Sequence, residues 1–215
     1  IIKKYLPGYD PKVTIKDTNI KFTKSKSNQT AELNGLIKIK KQFDNFQIKE
    51  KYNYKQKNFD ISGTVDLTNS MVKVSRLNYI KNHGKKSDLT FDVNFILNKR
   101  FNIRNLQFIE NKNKIYLSNI KLNNNFRLVD FENLEVKTFL NEIKNNDFLI
   151  NKREKIIISG KVFDAQLLLK SLYKKDDKKT FSKKFKGKIK MNLDRVITGT
   201  NDDVFDLSMI ASIDK

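Results

Sequence analysis

The chain has 215 residues, with 44 Lys and Arg against 24 Asp and Glu and a formal net charge of +20. That is length enough for one large domain or two small ones. Its hydrophobic share is 38%, with seven Gly and two Pro, against the roughly 45–50% apolar content of ordinary globular chains, so broad surfaces must stay wet. The absence of Cys excludes disulfides and thiolate metal sites, and no stretch reaches the roughly 20 apolar residues of a membrane-spanning helix.

Along the chain the dominant signal is alternation with a period of two, the mark of strands with one oily and one polar face. Val13–Phe22 (with a turn expected at Asp17–Asn19), Ala31–Ile39 and Phe46–Tyr54 alternate weakly. The pattern sharpens at Phe59, Ile61, Gly63, Val65 and Leu67, interleaved with Asp60, Ser62, Thr64 and Asp66. Met71–Leu77 follows. Then Leu89, Phe91, Val93, Phe95 and Leu97 alternate with Thr90, Asp92, Asn94 and Ile96. Further strands are expected over Phe101–Phe108, Ile115–Leu122, Phe126–Val136 and Ile156–Val162. Clusters at Asn82–Lys86, Asn111–Asn113 and Asn123–Asn125 supply turn chemistry. From about residue 12 to 136 the connections are too short for parallel crossovers, which take about a dozen residues or more, so neighbouring strands must be antiparallel.

A short helical turn is expected at Thr138–Lys144. The main helix is predicted near 164–173. Asp164 is a good N-cap, Ala165, Leu168, Leu169 and Leu172 make an apolar stripe, and Lys170, Lys174 and Lys175 suit the negative C-terminal end. A polar linker over 174–184 comes next. Strands resume with Phe185, Gly187, Ile189, Met191 and Leu193 against Lys186, Lys188, Lys190 and Asn192, and with Phe205, Leu207, Met209, Ala211 and Ile213. The expected fold is therefore mainly β: a twisted antiparallel sheet segment over 1–163, a helix over 164–173, a linker over 174–184 and continuing strands of the same elongated domain over 185–215. Because both ends lie in strand-like sequence and no signal peptide precedes Ile1, the chain is expected to be an internal segment of a longer protein.

Little in the sequence carries chemistry. His83 is the single histidine and sits in a turn, Asn82–His83–Gly84–Lys85, so neither a zinc set nor a nucleophile–histidine arrangement is expected. Asp176–Asp177 and Asp202–Asp203 lie in polar linkers or turns. Gly35, Gly63, Gly160 and Gly187 sit within strands, where Gly marks bulges or close packing, and no spacing makes a phosphate-cradling loop. No catalytic residue, metal site or cofactor is expected, and the chain is not expected to be an enzyme. Arg occurs at six positions, leaving 38 of the 44 basic residues as Lys. Together with abundant Asn, Ile and Phe, this points to biased coding as the main source of the charge. Specific nucleic-acid readout favours the Arg fork, and single-strand stacking needs rings among basic residues on one face. Here Phe and Lys alternate onto opposite faces, so no specific nucleic-acid partner is expected.

Two stretches resemble a known family. Gly63–Lys85, GTVDLTNSMVKVSRLNYIKNHGK, carries Asp66–Leu67–Thr68, then alternating apolar residues, then Leu77–Asn78–Tyr79 and Lys81 before a Gly turn. Asn146–Leu172, NDFLINKREKIIISGKVFDAQLLLKSL, carries a strand ending at Ser159–Gly160, then Phe163–Asp164–Ala165 leading into Leu167–Leu168–Leu169. Both are similar to the large periplasmic proteins of the AsmA-like superfamily, the YhdP type in particular. With the intervening strands the resemblance covers roughly residues 35–213. It implies a bridge-like lipid-transfer protein: a long β-sheet curled into a groove that shields phospholipid acyl chains moving between inner and outer membranes. It also implies periplasmic localisation and an inner-membrane anchor N-terminal to this chain. The Lys content departs from the family's.

The alternation itself demands that each oily face be buried, in a sandwich, under helices, or against an apolar ligand in a trough. With one good helix available as a cover, a sandwich and a trough remain. In the trough, the residues expected to contact lipid are Ile61, Val65, Phe91, Val93, Phe95, Ile189 and Met191. The competing reading is a non-conducting β-scaffold or envelope-assembly module with a closed core.

Overall fold

The computed structural model describes residues 14–39, 42–96, 101–122, 128–173, 187–199 and 202–213. The linker expected at 174–184, the turn at Asn123–Asn125, and the positions of Leu97 and Phe185 lie outside them.

The fold is mainly β, mostly antiparallel and open, with one short helix. The strands are β1 (Thr14–Lys24), β2 (Asn28–Lys38), β3 (Phe43–Asn53), β4 (Asn58–Asp66), β5 (Val72–Val74), β6 (Tyr79–Lys81), β7 (Asp88–Ile96) and β8 (Phe101–Glu110). They continue as β9 (Asn113–Leu122), β10 (Leu128–Asp130), β11 (Asn133–Leu140), β12 (Ile143–Lys152), β13 (Ile156–Asp164), β14 (Gly187–Ile197) and β15 (Val204–Ile213), with helix α1 (Gln166–Tyr173) between β13 and β14.

The chain groups into two compact units. The first is Ile1–Lys73, Ile80–Asn111 and Tyr116–Phe131; the second is Val74–Tyr79, Lys112–Ile115 and Glu132–Lys215. Strand order in the first is β1-β2-β3-β4-β7-β8-β9, with β10 beside β9, and in the second β11-β12-β13-β14-β15. The start of β9 belongs to the second unit. There Lys114 Nζ pairs with Glu135 at 2.9 Å, and the Phe139 amide donates to Asn113 Oδ1 at 2.8 Å.

Asn and Asp make these strands possible by taking the left-handed backbone that other side chains resist. Asn111 turns the chain between β8 and β9 at φ 50°. Asn141 and Glu142, at φ 49° and 63°, form the two-residue turn that joins β11 to β12, a backbone whose twist matches that of flanking antiparallel strands. The helical turn expected at Thr138–Lys144 is therefore a hairpin. The turn expected at Asp17–Asn19 is instead a bulge: β1 continues through it, with a register shift between Lys16 and Asn19 against β2 and Asp17 at φ 49°.

Close packing at the strand glycines follows the sequence reading. A Cβ on Gly63 would lie 2.5 Å from Gln47 O and 2.9 Å from the Phe91 ring, and one on Gly160 would lie 2.5 Å from Phe148 Cα.

The second unit contains an arrangement that alternation did not predict: β13 and β14 are parallel. Parallel neighbours need a long crossover, and α1 with the residues after it provides one. Asp164 caps the helix, its Oδ1 accepting from the Gln166 amide at 3.2 Å. Ala165 is buried, Leu168 and Leu169 are partly buried, and the helix packs on the 3-10 turn Ser75–Leu77. Beyond Lys170 only the helix backbone is described, which leaves the Leu172 side chain aside.

The core of the second unit is partly polar. Asn146, fully buried, donates from Nδ2 to Leu77 O at 2.7 Å and to Thr138 Oγ1 at 2.9 Å, and its Oδ1 accepts from the Asp164 amide at 3.0 Å. Asp164 Oδ2 accepts from Asn78 Nδ2 at 2.9 Å and Asn145 Nδ2 at 3.2 Å. Leu77 and Asn78 come from the first family-like stretch, Asn146 and Asp164 from the second. Buried polar groups are tolerated when paired in this way, and here they hold the 3-10 turn, the β11–β12 hairpin and the start of α1 together.

Candidate functional site: an apolar sheet face

Side chains of hydrogen-bonded partners in a sheet lie on the same face, so the registers of the first unit define a surface strand by strand. Ile61 of β4 pairs with Val93 of β7, Gly63 with Phe91, Val65 with Leu89 and Phe59 with Phe95. On one side β3 continues the face with Phe46, Ile48 and Tyr52 opposite Val65, Gly63 and Phe59, and β2 adds Leu33 opposite Ile48. β1 closes that side with Ile20 opposite Leu33 and Phe22 opposite Ala31. On the other side β8 adds Phe101, Ile103, Leu106 and Phe108 opposite Phe95, Val93, Phe91 and Leu89. Glu50, opposite Ile61, is the charged side chain in the middle of this surface.

The five candidates Ile61, Val65, Phe91, Val93 and Phe95 thus share one face. Val93 lies at its floor with 8% of its surface exposed, while the other four are partly buried. Toward the edge strand, exposure rises to 65% at Ile20 and 56% at Phe22. Among the described elements, the strands of this unit contact mainly their ladder neighbours, and the second sheet, β5–β6, has two strands and lies in the connection between β4 and β7. Ile189 and Met191 belong to the second unit. They sit on β14 opposite Ile156 and Ile158 of β13, and opposite Ala211 and Met209 of β15.

The two ends of the first unit's face differ. One end is an aromatic row across four strands and a turn: Tyr54, Tyr52, Phe59, Phe95 and Phe101, with successive ring centroids 5.4, 4.4, 4.6 and 6.0 Å apart. Phe59 and Phe95 stack nearly parallel, one of the preferred aromatic geometries. Lys24 Nζ lies 6.0 Å from the Tyr54 ring, so the separation of Lys from rings relaxes at this edge.

The other end is closed by the connection between β4 and β7. Asp44 lies on the same face as Phe46, two residues along β3, and both are buried. Its carboxylate accepts from the Asn69 amide at 2.9 Å and Ser70 Oγ at 3.0 Å. Lys81 is 1% exposed. Its ammonium donates to Leu67 O, to Thr68 O at 3.0 Å and to Ser70 O at 2.6 Å. Burial pushes the Asp44 carboxyl above its ordinary range and the Lys81 ammonium below its own, as expected when charges leave water. The charges of Asp44, Glu110 and Asp66 act on Lys81 in the opposite direction.

The opposite face of the first unit is polar. Arg104 bridges Asp60 at 2.8 Å and Asp92 at 2.5 Å, and the Asp92 contact raises its already high pKa. A depression of about 370 Å3 lined by Glu32, Asn34, Gln47, Lys49, Ser62 and Thr64 lies on this side, with Lys49 paired to Glu32 at 2.7 Å. Among the described residues no group of three or more His, Asp and Glu is placed to hold a metal, and no helix is long and apolar enough to cross a membrane.

The sequence reading missed the Asp44–Lys81 lock and the Asn145–Asn146–Thr138 network. A signal for Lys81 existed: it shares strand parity with Tyr79, which is buried. Asn145 and Asn146, which follow the helical turn expected at Thr138–Lys144, carry no local signal of burial. No protein-family model, curated protein or solved structure matches the chain.

Proposed function

We propose that the chain is a segment of a lipid-transfer protein whose apolar face shields phospholipid acyl chains. The observation that carries this reading is the apolar surface that runs across six strands from Ile20 to Leu106, interrupted by Glu50 and partly exposed toward β1. An acyl chain laid on such a surface gains about 0.8 kcal/mol for each CH2 removed from water, and a surface with few fixed polar groups lets it slide without trapping the headgroup. The resemblance to the AsmA-like superfamily points the same way. Four of the residues that carry it, Leu77, Asn78, Lys81 and Asp164, take part in the buried polar networks. On this reading the full-length protein is periplasmic, anchored in the inner membrane, and moves phospholipid between membranes without catalysing a reaction.

The experiment is photo-crosslinking. A benzophenone side chain replaces Phe91 or Phe95, and in a control Thr90, which faces the polar side and is not tied to Arg104. The protein is irradiated with vesicles of phosphatidylethanolamine and phosphatidylglycerol. Phospholipid adducts at 91 and 95 but not at 90 support the reading, and equal yields at all three positions overturn it.

One observation favours the runner-up, a non-conducting scaffold. The segment Leu67–Lys73 with Ile80–Ser87 closes one end of the face through the Asp44 and Lys81 contacts, whereas a conduit needs passage at both ends. Adducts at 91 and 95 with no transfer of lipid between donor and acceptor vesicles by the full-length protein would select the scaffold.

A further inference from the structure

We propose that the hairpin end of the first unit's apolar face selects phospholipids with a net negative headgroup, through Lys24, Lys26, Lys55 and Lys57. This rests on the lipid reading above and adds to it which headgroup is carried and where it lies. Along the strands the face has two unlike ends. One is closed by the connection between β4 and β7, through Asp44 and Lys81. The other holds the aromatic row and two hairpin turns, Ser25–Ser27 between β1 and β2 and Tyr54–Lys57 between β3 and β4.

Length and polarity orient the ligand. From Phe59 to Val65 the face runs about 20 Å along β4, whereas the hydrocarbon of one bilayer leaflet is about 15 Å deep. An acyl chain laid along the strands therefore fits between the aromatic row and the closed end, with its headgroup beyond the row, at the turns. The opposite orientation would set a phosphate against Asp44 and Glu110, both buried at the closed end. Tyr52 and Tyr54 suit the boundary, since such rings sit where hydrocarbon gives way to headgroups.

The charge at this end has one sign. Residues 24–29 and 53–58 contain these four lysines and no Asp or Glu, and all four lysines are exposed. At the closed end, by contrast, Lys85 and Lys86 share a depression with Asp88 and Glu110. The two turns are tied to each other: the Tyr54 amide donates to Ser27 O at 3.0 Å, and Asn53 Nδ2 to Asn28 Oδ1 at 3.1 Å. Like charges are thus held together on a fixed platform, where an anion relieves their repulsion. Lys24 pairs with Gln29 and Gln29 with Tyr52, so Lys24 extends the aromatic row on the same face. A phosphate over the row lies within its reach. Lysine is a compact charge on a flexible stem and attracts a phosphate without a rigid cradle, which leaves the lipid free to slide. Strands added beside a sheet do not cover its hairpin turns, so the rim stays open however wide the sheet becomes.

The test uses the full chain with benzophenone in place of Phe91 and vesicles holding equal amounts of phosphatidylethanolamine and phosphatidylglycerol, the adducts being identified by mass. Each vesicle contains both lipids, so general attraction of a basic protein to the bilayer delivers both alike. The anionic phosphatidylglycerol should exceed the zwitterionic lipid among the adducts by at least about fivefold, the effect of one lysine beside an anionic lipid surface. Replacing Lys24, Lys26, Lys55 and Lys57 together by Gln should bring the ratio to about one while phospholipid adducts continue to form. Replacing Lys21, Lys73, Lys85 and Lys86 by Gln removes the same charge from the polar face and the closed end, and should leave the ratio unchanged. All eight side chains are exposed, so both variants should keep the urea midpoint of the parent; if the first does not, Lys55→Gln with Lys57→Gln alone should still lower the ratio. Soluble glycerol phosphate should not abolish the preference; if it does, the rim is a site for free anions and the proposal falls. Equal capture of the two lipids by the unsubstituted chain, or equal loss of preference in both fourfold variants, would overturn the headgroup assignment and leave acyl-chain shielding in place. No adduct with either lipid would overturn both.

Discussion

Replacing Lys81 by Met tests whether a buried ammonium holds the closed end of the apolar face. Methionine preserves most of the stem's volume and removes the charge. The native ammonium donates to three backbone carbonyls, those of Leu67, Thr68 and Ser70. Two of these keep another donor when it is gone: Leu67 O accepts from the Ser70 amide, and Thr68 O from the Gly84 amide. Each charge-assisted bond contributes about 1.5–3 kcal/mol. Against their loss stands the recovered cost of burying an ion, several kcal/mol after relaxation. The balance is an expected destabilisation of about 2–4 kcal/mol. With a urea m-value of about 2 kcal/mol/M, typical for a chain of this size, the midpoint should fall by about 1–2 M at unchanged m. Amide hydrogen exchange should accelerate first in residues 67–73 and 80–87, because local openings follow the contacts removed. A loss below about 0.5 kcal/mol, or exchange that rises uniformly, would refute the assignment of Lys81 as the lock.

Three further outcomes are expected. Burial raises the Asp44 carboxyl above its unfolded value of 3.8, so just above pH 3.8 the folded state holds more protons than the unfolded one and stability falls as pH rises through that window; Asp44→Asn should abolish this component in urea melts recorded across it. Gly160→Ala would place a Cβ 2.5 Å from Phe148 Cα, and the overpacking should cost about 1–3 kcal/mol, read as a Tm several degrees lower. Asn146→Ala removes donors to Leu77 O and Thr138 Oγ1 and the acceptor for the Asp164 amide; unfolding should be about 2–4 kcal/mol easier, with exchange in residues 166–170 accelerating more than in β14.

Alternation located most of the strands and their faces, though not β12. Ile61, Val65, Phe91, Val93 and Phe95 fall on one surface because side-chain direction in a strand has a period of two, and the short polar connections force antiparallel neighbours. The helix was equally legible, since Asp164 and the spacing of Ala165, Leu168 and Leu169 are local signals. Tertiary structure decided what depends on partners distant in the chain. The lock on one end of the face needs Asp44 to meet Asn69 and Ser70, and Lys81 to meet carbonyls 11 to 14 residues before it; strand parity with Tyr79 places Lys81 on that residue's face but does not name those carbonyls. The hairpin at Asn141–Glu142 overrode an apparent helical pattern because Asn145 and Asn146 find buried acceptors at Leu77, 68 and 69 residues away. The parallel pairing of β13 with β14 was set by the helix and the residues after it, which supply enough chain to cross over. Periodicity fixes which way each side chain points; which strand lies beside which, and what covers the resulting faces, depends on long-range contacts that a period of two does not encode.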